Sequence, residues 1–143
     1  MDANTAGFVH GGVVMKMCDE AAGLAAVKHS RCRVVTAGMD RMTFLVPIHV
    51  GELVTFSASV NAAWRTSMEV GVRVTAELPR EGTVRHTNTA YLTMVAVDED
   101  GRPAEVPPLI VETPEEQRRE REAQLRRRNR LAERDQILGG RDS

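Results

Sequence analysis

Residues 11–29 read GGVVMKMCDEAAGLAAVKH. Val14, Met17, Cys18, Ala21, Leu24 and Ala25 recur at helical spacing, which predicts a helix from Gly11 to about His29. Its apolar face is made of small side chains, among them Ala21, Ala22, Gly23, Ala25 and Ala26. Each buries little area, so this helix is not stable alone. Small residues do let it sit close to whatever wraps it, and the sequence downstream supplies the wrapping. Residues 34–46, 52–64, 68–76 and 83–97 read as strands. In 68–76 the alternation is clean, with Met68, Val70, Val72 and Val74 on one face and Glu69, Gly71, Arg73 and Thr75 on the other. Turns are expected at His49-Val50-Gly51 and Glu81-Gly82. Short links between consecutive strands favour antiparallel hairpins. The expectation is an α+β fold, a long central helix wrapped by a curved antiparallel meander.

Composition narrows the possible roles. The chain has 143 residues, enough for one core, with 42% hydrophobic but only 3% aromatic residues, so Val, Leu, Ala and Met must fill that core. With 19 basic against 20 acidic residues, nothing in the net charge points to nucleic acid or an anionic membrane as a partner. Cys18 and Cys32 form no CxxC pair, so no zinc site is suggested, and two isolated thiols fit a reducing cytoplasm. No signal peptide or membrane-length apolar run is visible.

After Gly101 the pattern changes. Pro103, Pro107 and Pro108 interrupt any strand. Thr113-Pro114-Glu115-Glu116 then reads as a helix start, with Thr as N-cap, Pro at the first helical position and acids in the first turn. The highly charged residues that follow predict a solvated helix. The division expected is 1–112 for the main domain and 113–143 for a charged helical tail.

Several residues are candidates for chemistry. Asp19 sits mid-helix, four residues from both Met15 and Gly23 and three from Lys16. Gly23 costs helix stability and leaves space beside the carboxylate. Asp19 reads either as a general base beside a cleft or as part of a charged stripe with Glu20. Gly11 and Gly12 stand where the helix begins. Unpaired N–H groups and the positive end of the helix dipole favour an incoming oxygen there, so the pair suits either a developing oxyanion or a plain loop-to-helix turn. His10 reads as a base, a ligand or an ordinary loop residue. Cys18 lies on the apolar side and reads as packing. No nucleophile elbow, dinucleotide fingerprint or P-loop is present.

The stretches DANTAGFVHGG (2–12), MKMCDEAAG (15–23), VVTAGMDRMTFLVPIHVG (34–51), TSMEV (66–70) and VPPLIVETPEE (106–116) closely resemble the hotdog-fold acyl-CoA thioesterases. The likeness is to the cytosolic long-chain acyl-CoA hydrolase type and its bacterial YciA-like relatives. It covers most of the chain, with the last helix loosely matched. The resemblance implies a single hotdog domain that hydrolyses acyl-CoA to free CoA and a fatty acid. It places Asn4 on the family's catalytic asparagine, Asp19 on its helix aspartate, the proposed general base or, by a covalent route through an anhydride, the nucleophile, and Thr36 on a threonine implicated in some members. It further implies that the Asn and Asp of one site come from different subunits. A homodimer is then the minimal unit and a trimer of dimers, a homohexamer, the full assembly. No cofactor or metal is implied, since coenzyme A is part of the substrate. Arg65, Thr66 and Ser67, at a turn between strands, are candidates for holding the CoA phosphates, or simply hairpin residues. The family's short strand ahead of Asp2 has no counterpart in these 143 residues, so an unpaired sheet edge is expected. The alternative from another class is a non-catalytic acyl-CoA-binding or sensing hotdog protein.

Overall fold

The computed structural model describes residues 11–40, 43–44 and 46–141. The elements are α1 (Gly11–Ser30), β1 (Arg33–Met39), β2 (Thr43–Phe44), β3 (Leu53–Ala63), β4 (Ser67–Glu77), β5 (Val84–Val97) and α2 (Pro114–Arg141). Contacts divide the chain into two compact units, Met1–Pro108 and Leu109–Ser143.

In the first unit α1, about 30 Å long, lies against β1, β3, β4 and β5. This is the hotdog arrangement. The helix presents Val14, Cys18, Ala22, Ala26 and Ser30 to the core, a stripe stepping by four. The stripe is rotated from the one expected. Helical spacing puts Met17 and Leu24 inside, yet they are 44% and 75% exposed. The sheet selects the side with the smallest residues, because only these let the helix backbone approach closely. Met68, Val70, Val72 and Val74 of β4 are completely buried as the alternation required, and Leu92 and Met94 of β5 face them. Each of the large side chains contributes about 1.5–3 kcal/mol by leaving water.

The sheet order is β1-β5-β4-β3, with β2 also paired to β5, and every pairing is antiparallel. The expected meander therefore holds only for β3, β4 and β5. The segment expected as one strand over 34–46 contains two, β1 and β2, both on β5 rather than beside β3. The cause is the tight exit from α1. Arg31, with φ 61°, turns the chain in two residues, its N–H bonded to the Val27 carbonyl at 2.8 Å. β1 then starts where β5 ends, Arg33 opposite Val97. Gly51 and Gly82 supply the positive φ, 98° and 71°, that the expected turns require.

The outer face of β4 departs from simple alternation. Glu69 is wholly buried and accepts a hydrogen bond from Asn61 Nδ2 at 3.0 Å. Asn61 sits at a bulge in β3, between Val60 and Ala62. It reaches across the space that Gly71 leaves, where a Cβ would stand 2.7 Å from its Nδ2.

In the second unit α2 starts as read. Glu116 N–H donates to Thr113 Oγ1 and Thr113 N–H to Glu116 Oε1, both at 3.1 Å. This reciprocal capping box holds the first turn. The Thr113 hydrogen bonds lower the Glu116 carboxyl below its ordinary value. Arg118–Glu122 and Arg119–Glu115 add i,i+4 pairs along the exposed helix.

Candidate active site

Asp19 is half-buried midway along α1. Among the described residues nothing lies within 4 Å of where a Cβ on Gly23 would stand, so that side of the helix is open. Thr36 reaches Asp19 from β1. Its Oγ1 donates to Asp19 Oδ1 at 2.6 Å, the length of a charge-assisted O–H···O⁻ bond. The β1–β5 register shifts between Thr36 and Gly38, a bulge of the kind that re-aims side chains beside a site. With Oδ1 held, Oδ2 is the oxygen left to meet a water. The Thr36 oxygen also lies 3.5 Å from Met94 Sδ. Nothing in the sequence marks Met94 for that contact among the other apolar residues of its strand.

Gly11 and Gly12 open α1 as expected, and the first turn carries no acidic residue. Gly11 precedes Asp19 by eight residues, about 12 Å along the axis. One chain thus holds a polarising helix end and a held carboxylate too far apart to act on one carbonyl. Asn4 and His10 lie outside the described residues. Arg65, Thr66 and Ser67 form the β3–β4 turn, with Trp64 N–H donating to the Ser67 carbonyl at 2.8 Å. Thr36, Met94 and Met68 form one row across β1, β5 and β4, so the turn stands about 10 Å from Thr36 across the sheet. Its Arg65 and Thr66 carbonyls accept from Val106 and Ala96 N–H. The turn is thereby tied to the end of β5 and to the chain after it, and the structure does not gather it with Asp19 and Thr36.

Cys18 is buried beside Asp19, and burial pushes its thiol up to about 11, which leaves it inert as a nucleophile. Among the described residues no group of three or more His, Cys, Asp or Glu is placed to hold a metal, and no helix is long and apolar enough to cross a membrane.

A cavity of about 420 Å³ lies elsewhere, lined by His49, Glu52, Leu78, Glu81, Thr83 and Arg85. Arg85 is nine residues along β5 from Met94, roughly 30 Å, so this cavity is remote from Asp19. At its wall Arg85 Nη2 donates to both Glu52 oxygens, at 2.6 and 2.5 Å, and His49 N–H donates to Oε1 at 2.8 Å. Burial alone pushes the Glu52 carboxyl up. The Arg85 and His49 hydrogen bonds and the Arg85 charge outweigh it and hold the carboxyl below its ordinary range. In the sequence Glu52 reads only as the start of a strand.

The sequence profile of the thioesterase superfamily matches residues 6–83. The chain belongs to the thioesterase superfamily. This thioesterase chain is 39% identical over 117 residues to protein VdlD of Helicobacter pylori, covering 82% of this chain and 67% of that protein. A crystal structure of an apo-hexameric acyl-CoA thioesterase is 40% identical and superposes with a TM-score of 0.89, covering 92% of this chain and 85% of that one. Acyl-CoA hydrolase from Staphylococcus aureus, solved with butyryl coenzyme A, coenzyme A and coenzyme A disulfide, is 32% identical with a TM-score of 0.87, covering 99% of this chain and 88% of that one. Aspartate-to-alanine, threonine-to-alanine and asparagine-to-alanine variants of the Staphylococcus aureus enzyme have also been solved.

Proposed function

We propose that this chain hydrolyses acyl-CoA to free CoA and a fatty acid, with Asp19 as general base, Thr36 as its support and Asn4 from the facing subunit. The observation that carries this is the 2.6 Å bond from Thr36 to Asp19. A surface aspartate in a charged stripe has no need of a hydroxyl from a strand 17 residues away. Further support comes from the Staphylococcus aureus variants. Their substituted asparagine, aspartate and threonine follow one another at intervals of 15 and 17 residues, the intervals that separate Asn4, Asp19 and Thr36.

Asp19 Oδ2 takes a proton from water while the resulting hydroxide attacks the thioester carbonyl. Backbone N–H groups at Gly11 and Gly12 receive the oxyanion. The tetrahedral intermediate collapses, the C–S bond breaks, and the CoA sulfur leaves with the proton Asp19 had taken. General base catalysis of this kind contributes on the order of 10²–10⁴-fold. The 12 Å between Gly11 and Asp19 in one chain supports a site completed by a second copy, with the helix end and Asn4 of one subunit facing Asp19 and Thr36 of the other. A dimer is therefore the minimal catalytic unit, and a trimer of dimers agrees with the hexameric thioesterases it resembles. Arg65, Thr66 and Ser67 remain candidates for the CoA phosphates at the rim.

Thiol release from a panel of acyl-CoAs by wild type and Asp19→Asn tests the reading. The expected result is turnover by wild type and a loss of about 100-fold in the folded variant. Binding of acyl-CoA without turnover by wild type would sink it.

A further inference from the structure

We propose that Met94 is a positioning residue of this site, one that keeps the Thr36 hydroxyl on Asp19 by filling the space from which a water would compete for its proton. The inference rests on the roles proposed for Asp19 and Thr36 and extends them to a residue on a third element. Among the described residues the Thr36 hydroxyl has two acceptors in reach, Asp19 Oδ1 at 2.6 Å and Met94 Sδ at 3.5 Å. The two are unequal. A carboxylate oxygen is a strong acceptor and a thioether sulfur a weak one.

What the sulfur displaces matters more than what it accepts. Among the described residues Thr36 is exposed and lies on β1, at the end of the strand order. A hydroxyl there turns among staggered wells and trades its proton with any water beside it. Met94 is 1% exposed, and the β1–β5 register sets it directly opposite Thr36. Its side chain occupies the sheet side of the hydroxyl, where a water would otherwise compete with Asp19. The proton stays on Oδ1, the carboxylate keeps its orientation, and Oδ2 faces the attacking water. A large, soft, poorly accepting side chain meets this need. On that account Leu should serve nearly as well as Met, whereas a void or an amide should not.

The test is a double-mutant cycle read in kcat on the full chain, with acyl-CoA as substrate. Met94→Ala is expected to lower kcat about tenfold with KM unchanged, and Met94→Leu to stay within about twofold of wild type. In a Thr36→Val background Met94→Ala should change kcat by less than about twofold, because no hydroxyl remains to be held. Met94→Gln, which keeps the length but offers an amide oxygen, gives the same reading if the alanine variant does not fold. Equal losses in both backgrounds, or a full-speed Met94→Ala, overturn the role of Met94 and leave Asp19 and Thr36 untouched. A Thr36→Val variant with unchanged kcat overturns the Asp19–Thr36 pairing itself.

Discussion

Arg85→Met isolates the cost of a buried carboxylate in this fold. The Glu52 side chain is only 3% exposed and that of Arg85 is 35% exposed. Removing the guanidinium leaves Glu52 with the His49 N–H as its one hydrogen bond among those described above. Breaking a buried pair from one side costs about 3–5 kcal/mol. Arg85 stands at a cavity and is one-third exposed, so water reaches its place and the expected cost falls to about 2–3 kcal/mol, or ~5–10 °C in Tm for a chain of this size. Glu52→Gln is the unequal partner. It leaves Arg85 where solvent already reaches it and costs only about 1 kcal/mol.

The pH dependence separates the two further. In wild type the folded carboxyl titrates below its unfolded value. Its stabilisation is complete above the unfolded pKa, about 4.3 for Glu, and is lost as pH falls through the folded value. In Arg85→Met only the His49 N–H and charge still oppose burial, so the carboxyl titrates higher than in wild type. The loss relative to wild type is then full at neutral pH and fades as pH falls. Melting followed by circular dichroism at about pH 7.5 and 4.5 should show the gap between wild type and Arg85→Met narrowing with acid. Equal losses in the two variants, or a gap that pH does not move, would refute the reasoning.

Four other outcomes are expected. Gly71→Ala puts a Cβ 2.7 Å from Asn61 Nδ2, forces that amide off the buried Glu69, and should cost about 1–3 kcal/mol in urea unfolding; an unchanged midpoint would mean that Asn61 yields freely. Mixing Asp19→Asn with Asn4→Ala chains should restore about a quarter of wild-type thiol release once subunits exchange, since half the dimers then carry one intact site; no recovery despite exchange argues against a shared site. Ellman's reagent at neutral pH should spare Cys18 in the folded protein and titrate it in denaturant, because its thiol is pushed up to about 11. Thr113→Ala should speed amide exchange several-fold in the first turn of α2 and leave exchange in β4 unchanged, which mass spectrometry resolves by peptide.

The parts of this protein that follow from local rules were legible in its residues. Periodicity marked α1 and β4, and Thr113 with Glu116 marked the start of α2, because each depends on groups within a turn or on one alternating face. Gly51 and Gly82 marked turns for the same local reason. Asp19 stood out as an acid in an apolar helix. From the residues alone it remained balanced between a base and a solvated stripe. The resemblance to acyl-CoA thioesterases, not spacing, brought Thr36 beside it.

The remainder depended on which strands became neighbours. Pairing β1 with β5 brings Thr36 to both Asp19 and Met94, the second 58 residues away in sequence. Packing α1 on the sheet chose the Val14–Cys18–Ala22–Ala26 stripe and left Leu24 outside. A bulge in β3 turned Asn61 onto Glu69, and the starts of β3 and β5 flank the end of β4, so that Arg85 closed on Glu52. Short-range preference is set by bonds and sterics within a few residues, and sequence alone determined that much. Register and face are set by the burial of apolar side chains contributed by distant segments, a sum no single segment carries, and only the tertiary structure decided them.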